Sequence, residues 1–484
     1  MTSQPPSLAG RALLALALMA GFYLLAIAIA FGLLYVPYAE VTYGKRLDRL
    51  GLFGLAGGVL ILWGIVPRPD AFAPPGPLLP RDRQRRLFGV IEEIAAGTSQ
   101  AMPAEVYLVS DVNAFVTTRG GFMGFGSRRV MGLGLPLLQT LGVSELRAVL
   151  AHEFGHYHGG DTKLGPWVYK TRAAIGRTLQ SLEGYSALLQ KPFVWYGNMF
   201  LRVSHAISRR QELTADRLAA GLYGAAPLTG ALTKIRRAAM AFPAYWSTEV
   251  SPVLGAGFRP PVAAGFSRFL AADRIAAAVD EQAKQRDEAD PYDTHPPLHE
   301  RVAAVAGLPA GPALDERRAI ELLEDVDTLE QALLAPIVSE RALSAIGWDQ
   351  VGHDVYIPTW QEATERHAAV LAGVTVGALL DEAPALVRRL IESLPADVLA
   401  QRTPDEQARY GRWALAAALA GQGWGVRTLP GEPIVLEGEA GALDPFQTIE
   451  DLLLGKVDQV TWRARCAALG IAEVALAAQR TRTS

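Results

Sequence analysis

The sequence predicts an α+β chain with two N-terminal transmembrane helices, a mainly helical domain with a small antiparallel sheet, and a mostly helical C-terminal accessory region. Three observations carry that prediction. Two long apolar stretches open the chain, within residues 12–66. Short β-type runs punctuated by glycine follow, between residues 105 and 134. The segments around residues 145–156, 208–216, 316–334 and 383–394 have helical patterning.

The first apolar stretch runs from residue 12 to about 36, with no charge between Arg11 and Glu40. That is long enough to span a bilayer with some tilt. The second, from about residue 50 to 66, is at the short end of the spanning range and carries Gly51, Gly54, Gly57 and Gly58, small enough for close packing on the first. A cleaved signal peptide is the competing reading, given Arg11 and the small residues near Ala26, Ala28 and Ala30. The stretch is longer than a signal core and a second run follows at once, which favours two spans. Lys45, Arg46 and Arg49 lie between the spans, whereas Arg11, Arg68, Arg81, Arg83, Arg85 and Arg86 flank their other ends. The positive-inside bias then places both termini, and everything after residue 67, in the cytosol at the plasma (inner) membrane.

Residues 67–80 hold six prolines and read as a stiff, extended linker. A helix is expected over 81–96, strands over 105–109, 115–118 and 129–134, and a glycine-rich hairpin at Gly120, Gly121, Gly124 and Gly126. Such a sheet offers an edge to which an extended peptide can add. Beyond it, 307–312 reads as a linker, 425–436 as a hairpin whose strands meet at Pro430 and Gly431, and Pro445 as the opening of two final helices. The expected division is therefore a tail at 1–11, an anchor at 12–66, a linker at 67–80, a domain at 81–306 and an accessory region at 307–484.

The chemistry concentrates at His152-Glu153-Phe154-Gly155-His156, an H-E-x-x-H motif that ends the apolar helical run 145–151. A spacing of four puts both imidazoles on one helix face, where they can bind one zinc ion, with Glu153 beside them as a base. Metal-assisted peptide hydrolysis needs that arrangement. A third ligand decides the class. A metzincin would place a histidine at 162, where this chain has Thr162, although Gly159 fits. A later carboxylate fits instead: Glu212 is assigned to the metal and Asp216, one turn on, to a ligating imidazole, with small Ala215 between them allowing close helix approach. The plain alternative for 208–216 is a solvated amphipathic helix with Arg209 and Arg210 on its charged face.

At these residues the chain resembles the HtpX-like metallopeptidases, membrane-associated gluzincins that include the CAAX prenyl endoprotease. Four matches carry the resemblance, spanning roughly residues 85 to 305: Asn113-Ala114-Phe115, the H-E-F-G-H segment with Asp161, the segment 208–216, and His295-Pro296 with Arg301. The resemblance implies a gluzincin-type zinc protease domain that binds one Zn2+ per chain through His152, His156 and Glu212, with Glu153 as general base. It implies that Asn113 lies on an edge strand and helps hold substrate backbone, and that His295 or Arg301 stabilises the oxyanion. For the last pair an ordinary turn and helix start, with Arg301 as a structural ion-pair partner, is the alternative. His158, two residues past His156, is turned away from the metal by helical geometry, and His205, seven before Glu212, could line the same face but reads as packing, while His299, His353 and His367 have no companion at ligand spacing.

Composition agrees. Apolar residues make up 50% of the 484 residues, charged ones 20%, and the net charge is −3, so nothing suggests a nucleic-acid surface. The single cysteine, Cys466, excludes an internal disulfide and fits a reducing compartment. The apolar run 192–207 is interrupted by Arg202 and reads either as an interfacial helix or as the buried face of the Glu212 helix, the second favoured. The expectation is a membrane-anchored zinc endopeptidase acting on polypeptides in protein quality control. Its rivals are a processing protease for one lipidated or membrane-bound substrate, and a membrane-tethered adaptor with a structural zinc.

Overall fold

A computed structural model describes residues 8–44, 46–66, 72–120, 127–157, 165–285, 295–338, 342–392 and 404–477. Two compact units interleave along the chain. One comprises Met1–Ala238 and Gln282–Leu329, the other Ala239–Glu281 and Glu330–Ser484.

The first unit opens with helix α1 (Leu8–Ala39), continued by a wider turn over Glu40–Gly44, and helix α2 (Arg49–Ile65). Among the described residues one helix, Leu16–Gly44, is long and apolar enough to cross a membrane; α2 is apolar but has 17 residues. The α2 glycines do what their size allows. A Cβ on Gly54 would lie 2.5 Å from the Leu33 carbonyl oxygen, and one on Gly58 3.0 Å from that of Ala30, so the two backbones approach closely. The turn between them is tied by the Asp48 amide, which donates to Glu40 Oε2 at 2.9 Å.

Helix α3 (Arg85–Gly97) leads to strands β1 (Glu105–Val109), β2 (Ala114–Arg119) and β3 (Arg128–Gly134). The expected antiparallel sheet is in fact mixed: the order is β1-β3-β2, with β2 antiparallel to β3 but β1 parallel to it. The reason is that β3 returns between the other two, so β2 itself serves as the crossover that parallel neighbours require. The outer edge of β1 is covered by the end of the proline-rich segment, where the Leu79 amide donates to Val106 O at 2.8 Å and the Leu108 amide to Pro77 O at 2.9 Å. That part is not a free spacer. The other edge of the sheet belongs to β2. The hairpin tip, with Gly121, Gly124 and Gly126, lies outside the described residues.

Helices α4 (Leu135–Thr140), α5 (Val143–Gly155), α6 (Gly165–Ser181), α7 (Ala187–Tyr223) and α8 (Ala225–Tyr245) follow. Leu146, Ala148, Leu150, Ala151 and Phe154 bury α5 on nearly every side. The run 192–207 is part of α7, and Phe193 and Phe200 are fully buried in a cluster with Phe22 and Ile61 of α1 and α2. Tyr196 Oη donates to Leu18 O at 2.7 Å and Ser181 Oγ to Leu60 O at 3.3 Å. The run thus has a buried face, as favoured, although Trp195 stays 65% exposed.

The second unit has its own core of Trp360, Leu415, Leu419, Leu436, Ile449, Trp462 and Cys466, among others. The expected hairpin is present as Gly425–Arg427 against Val435–Gly438, with Gly441–Leu443 as a third strand. Asp444 and Asp458 cap the two final helices, Pro445–Leu453 and Gln459–Ala468. The helix expected over 316–334 is broken into Ala319–Leu322 and Val326–Leu334, because Leu323 is extended and Asp325 takes a left-handed φ of 54°, which a short polar side chain tolerates.

Candidate active site

Helix α5 is capped by Gly142, whose amide donates to Glu145 Oε2 at 2.8 Å, and runs without a break to the H-E-x-x-H motif. His152 and Glu153 occupy its last turn, and His156 caps it with its amide on His152 O. The two imidazoles stand edge to face, 4.8 Å between centroids. Helix α7 crosses close by, since Gly155 leaves only 3.1 Å between its Cβ position and Ala215 Cα. That approach delivers Glu212: its Oε2 lies 3.4 Å from His152 Nε2 and its Oε1 3.5 Å from His156 Nε2.

Asp216, one turn later on α7, is fully buried and its Oδ1 lies 2.9 Å from His152 Nδ1. This contact fixes the tautomer, with Nδ1–H on Asp216 and Nε2 turned toward Glu212. Arg301, on the helix Leu298–Val305, grips Asp216 with both arms of its guanidinium, Nε on Oδ2 at 2.8 Å and NH2 on Oδ1 at 2.7 Å. It is the ion-pair partner that was the plain alternative, and it is buried. His295 Nε2 lies 3.6 Å from Glu212 Oε1, but its side chain is 59% exposed, unlike the other members.

The electrostatics follow from burial and pairing. Burial drives the His152 pKa down, but the hydrogen bonds to Asp216 and Glu212 outweigh it and raise it to about 9. His156, buried and beside His152, is pushed down to about 4. Burial would raise Glu212, yet the histidines around it hold it at about 2. Burial raises Glu153 to about 7, partly offset by His152 and by the nearby Val116 backbone. Asp216 is buried, which opposes ionisation, but Arg301 and His152 keep it below the usual carboxylate range.

Two imidazole nitrogens and a carboxylate converge, and among the described residues the buried Glu212 Oε2 has only long ion-pair contacts, to His152 Nε2 at 3.4 Å and to the Arg301 guanidinium at 3.5 Å. Two imidazole nitrogens and an ionised carboxylate are a ligand set of the kind that binds a divalent metal such as zinc, so the residues present fit that ion. His152, Glu153 and His156 also offer ligand atoms within 4.8 Å of one another.

Comparison with known proteins decides the family. Residues 81–308 match the model of Peptidase family M48. Residues 81–308 are thus similar to the M48 metallopeptidases of the HtpX-like kind. It is a metalloprotease. The chain is 28% identical to a protease HtpX homolog of Tropheryma whipplei over 241 residues, which cover 46% of this chain and 72% of that protein. It is 25% identical to the homolog of Methylibium petroleiphilum over 242 residues, 46% of this chain and 74% of the relative. Protease HtpX homolog 1 of Saccharolobus solfataricus is 30% identical over 167 residues, covering 33% of this chain and 52% of that relative. No solved structure gives a significant match. The M48 match holds the whole cluster from His152 to Arg301 and ends at residue 308.

Of the residues singled out in the sequence, His152, Glu153, His156, Glu212, Asp216, His295 and Arg301 come together here. Asn113 is exposed at the start of β2, its carbonyl accepting from the Gly134 amide at 2.8 Å. Gly134 has to be glycine: a Cβ there would lie 2.0 Å from Asp111 O. His158 and Asp161 lie outside the described residues, as does the His205 side chain. His353 and His367 belong to the second unit, where His353 pairs with Asp354 at 2.6 Å. Sequence reading missed Val116 and Tyr157, whose phenol donates to Val116 O at 2.8 Å. A backbone group leaves no mark in a motif, and only the adjacency of Tyr157 to His156 hinted at it.

Proposed function

We propose that this protein is a membrane-anchored zinc endopeptidase, with His152, His156 and Glu212 as metal ligands and Glu153 as general base. The observation that carries the reading is the convergence of the buried Glu212 carboxylate on two Nε2 atoms, at 3.4 and 3.5 Å, with Glu153 beside them. A zinc ion held by these residues would supply Lewis acidity toward a water molecule and the scissile carbonyl. Glu153 is the carboxylate placed to take the proton of an attacking water and return it to the departing amine. Its elevated pKa near neutrality suits both transfers. Asp216 keeps His152 in the ligating tautomer and Arg301 keeps Asp216 ionised and in place. Asn113, at the head of the β2 edge, holds substrate backbone. His295 stands on the open side, suited to the oxyanion.

A structural zinc, as in a tethered adaptor, would need a fourth closed ligand. His295 is the candidate, being 3.6 Å from Glu212 Oε1, but its exposure favours a cleft residue over a closing ligand. The anchor is read as two spans, α1 and α2, with both termini in the cytosol of an inner-membrane protein, and the region 307–484 as an accessory to the protease. Substrates are then misfolded or membrane-associated polypeptides, in line with the protease names of the relatives. A dedicated lipidated substrate is the other reading within the class.

The test is removal and return of the metal. Detergent-solubilised protein should cleave unfolded casein, lose activity with a chelator and regain it with one equivalent of Zn2+. Activity that survives complete chelation, verified by metal analysis, would contradict the reading.

A further inference from the structure

The free edge of β2 is fastened to the catalytic helix by a residue outside the metal-binding set. Asn113 O accepts from Gly134 N, so residues 113 and 134 form a hydrogen-bonded pair of the β2–β3 ladder. In an antiparallel ladder such pairs alternate. Phe115, Thr117 and Arg119 therefore turn their backbone groups toward β3, and Ala114, Val116 and Thr118 turn theirs outward, to the edge. At Val116 the outward amide lies near Glu153 of α5, and the outward carbonyl accepts from Tyr157 Oη, just past the end of that helix, at 2.8 Å.

Tyr157 is itself fixed from two sides. Its amide donates to Phe154 O at 3.0 Å, in the last turn of α5. The Arg129 guanidinium of β3 lies over its ring, 4.5 Å from the centroid. Arg129 is in turn anchored by Gln100 Oε1 at 3.1 Å and by Ala101 O at 3.3 Å. One side chain, next in sequence to His156, thus spans both strands and the metal helix.

We propose that Tyr157 is a positioning residue that holds the β2 edge at a fixed distance and register from Glu153 and the metal ligands. The inference rests on the protease reading above. A polypeptide that pairs with β2 takes its depth in the site from the strand, whereas Glu153 and the ligands take theirs from α5. The phenol joins the two frames. Proton transfer needs heavy atoms within about 3 Å, and a displacement of about 1 Å can cost on the order of 100-fold. Loosening the clamp acts on turnover and leaves the substrate's own contacts in place.

The test is Tyr157→Phe in the full-length, zinc-loaded protein in detergent, which keeps the ring and removes only the hydroxyl. A fall in kcat of about tenfold is expected, with KM within about twofold and zinc content unchanged. Amide hydrogen exchange over 114–119 should accelerate while that over 105–109 stays as in the wild type. Unchanged kcat and exchange would overturn the proposal. So would a lower KM with higher activity, which would make Tyr157 an obstruction on the edge. A kcat loss that merely follows lost zinc or a lower Tm would also overturn it. If the wild type cleaves nothing, the protease reading fails, and exchange over 114–119 still decides whether the clamp exists.

Discussion

At the scale of the residue, the site is a set of groups whose protonation is arranged in advance. His156, held at about 4, is neutral at pH 7, and Glu212, held at about 2, is ionised. Both are in the form that binds a metal. His152 is the exception: raised to about 9, it carries a proton in the absence of metal. Metal binding at pH 7 must displace that proton, so affinity should rise by about tenfold per pH unit up to about 9 and then level off. Titration calorimetry in buffers of different ionisation enthalpy should report about one proton released by His152 at pH 8, where Glu153 is already mostly ionised. An enthalpy independent of buffer would contradict this arrangement. The four principal residues were legible because ligand chemistry fixes residue type and spacing. Arg301 was legible as an ion-pair residue only as one of two alternatives, and that its partner is Asp216 was not legible at all, since no spacing rule joins residues 85 positions apart.

At the scale of the element, the site depends on how near α5 and α7 come to each other. Gly155 and Ala215 set that distance, and the sequence signalled it through Ala215 alone. Gly155→Val should push α7 away and separate Glu212 from the imidazoles. Overpacking of this kind typically costs about 1–3 kcal/mol. The expected result is a zinc affinity lower by about tenfold or more with the fold retained, read by competition with a chromogenic chelator. Unchanged affinity would mean that α5 and α7 do not meet as described. The sheet shows where patterning runs out. Alternation in β1, β2 and β3 marked the strands but carries no information on which neighbour each strand takes, so the parallel β1–β3 pair was not readable. Nor was the pairing of Leu79 on β1, because prolines suggested a spacer and the backbone made a partner. Strand-to-strand choice lives in the packing of the sheet on α5, not in any local run of residues.

At the scale of the whole molecule, one helix among the described residues is long and apolar enough to cross a bilayer, it precedes the segment that matches Peptidase family M48, and a second unit has its own core. The apolar stretches and the catalytic motif were readable because hydropathy and ligand spacing are local signals. The interleaving of the two units was not, since residues 239–281 join the second unit through tertiary contacts alone. The proposed topology puts Asp48 outside and the metal site in the cytosol. Cys466 is fully buried and its thiol is pushed up to about 11, so the native chain has a quiet background for thiol labelling. Asp48→Cys should react with a membrane-impermeant maleimide in intact cells, and a cysteine at exposed Val460 only after lysis. The reverse pattern would place the protease on the other side of the membrane and change its substrates.

The central claim is that Glu153 is the base of a metal-dependent hydrolysis and not a ligand. Glu153→Gln alters one atom, keeps the shape of the side chain and leaves His152, His156 and Glu212 in place. The direct measurement is casein cleavage by this variant alongside its zinc content. The account expects one zinc per chain and a rate lower by at least about 100-fold, the contribution typical of a positioned acid–base group. A fully active variant with zinc bound would contradict it.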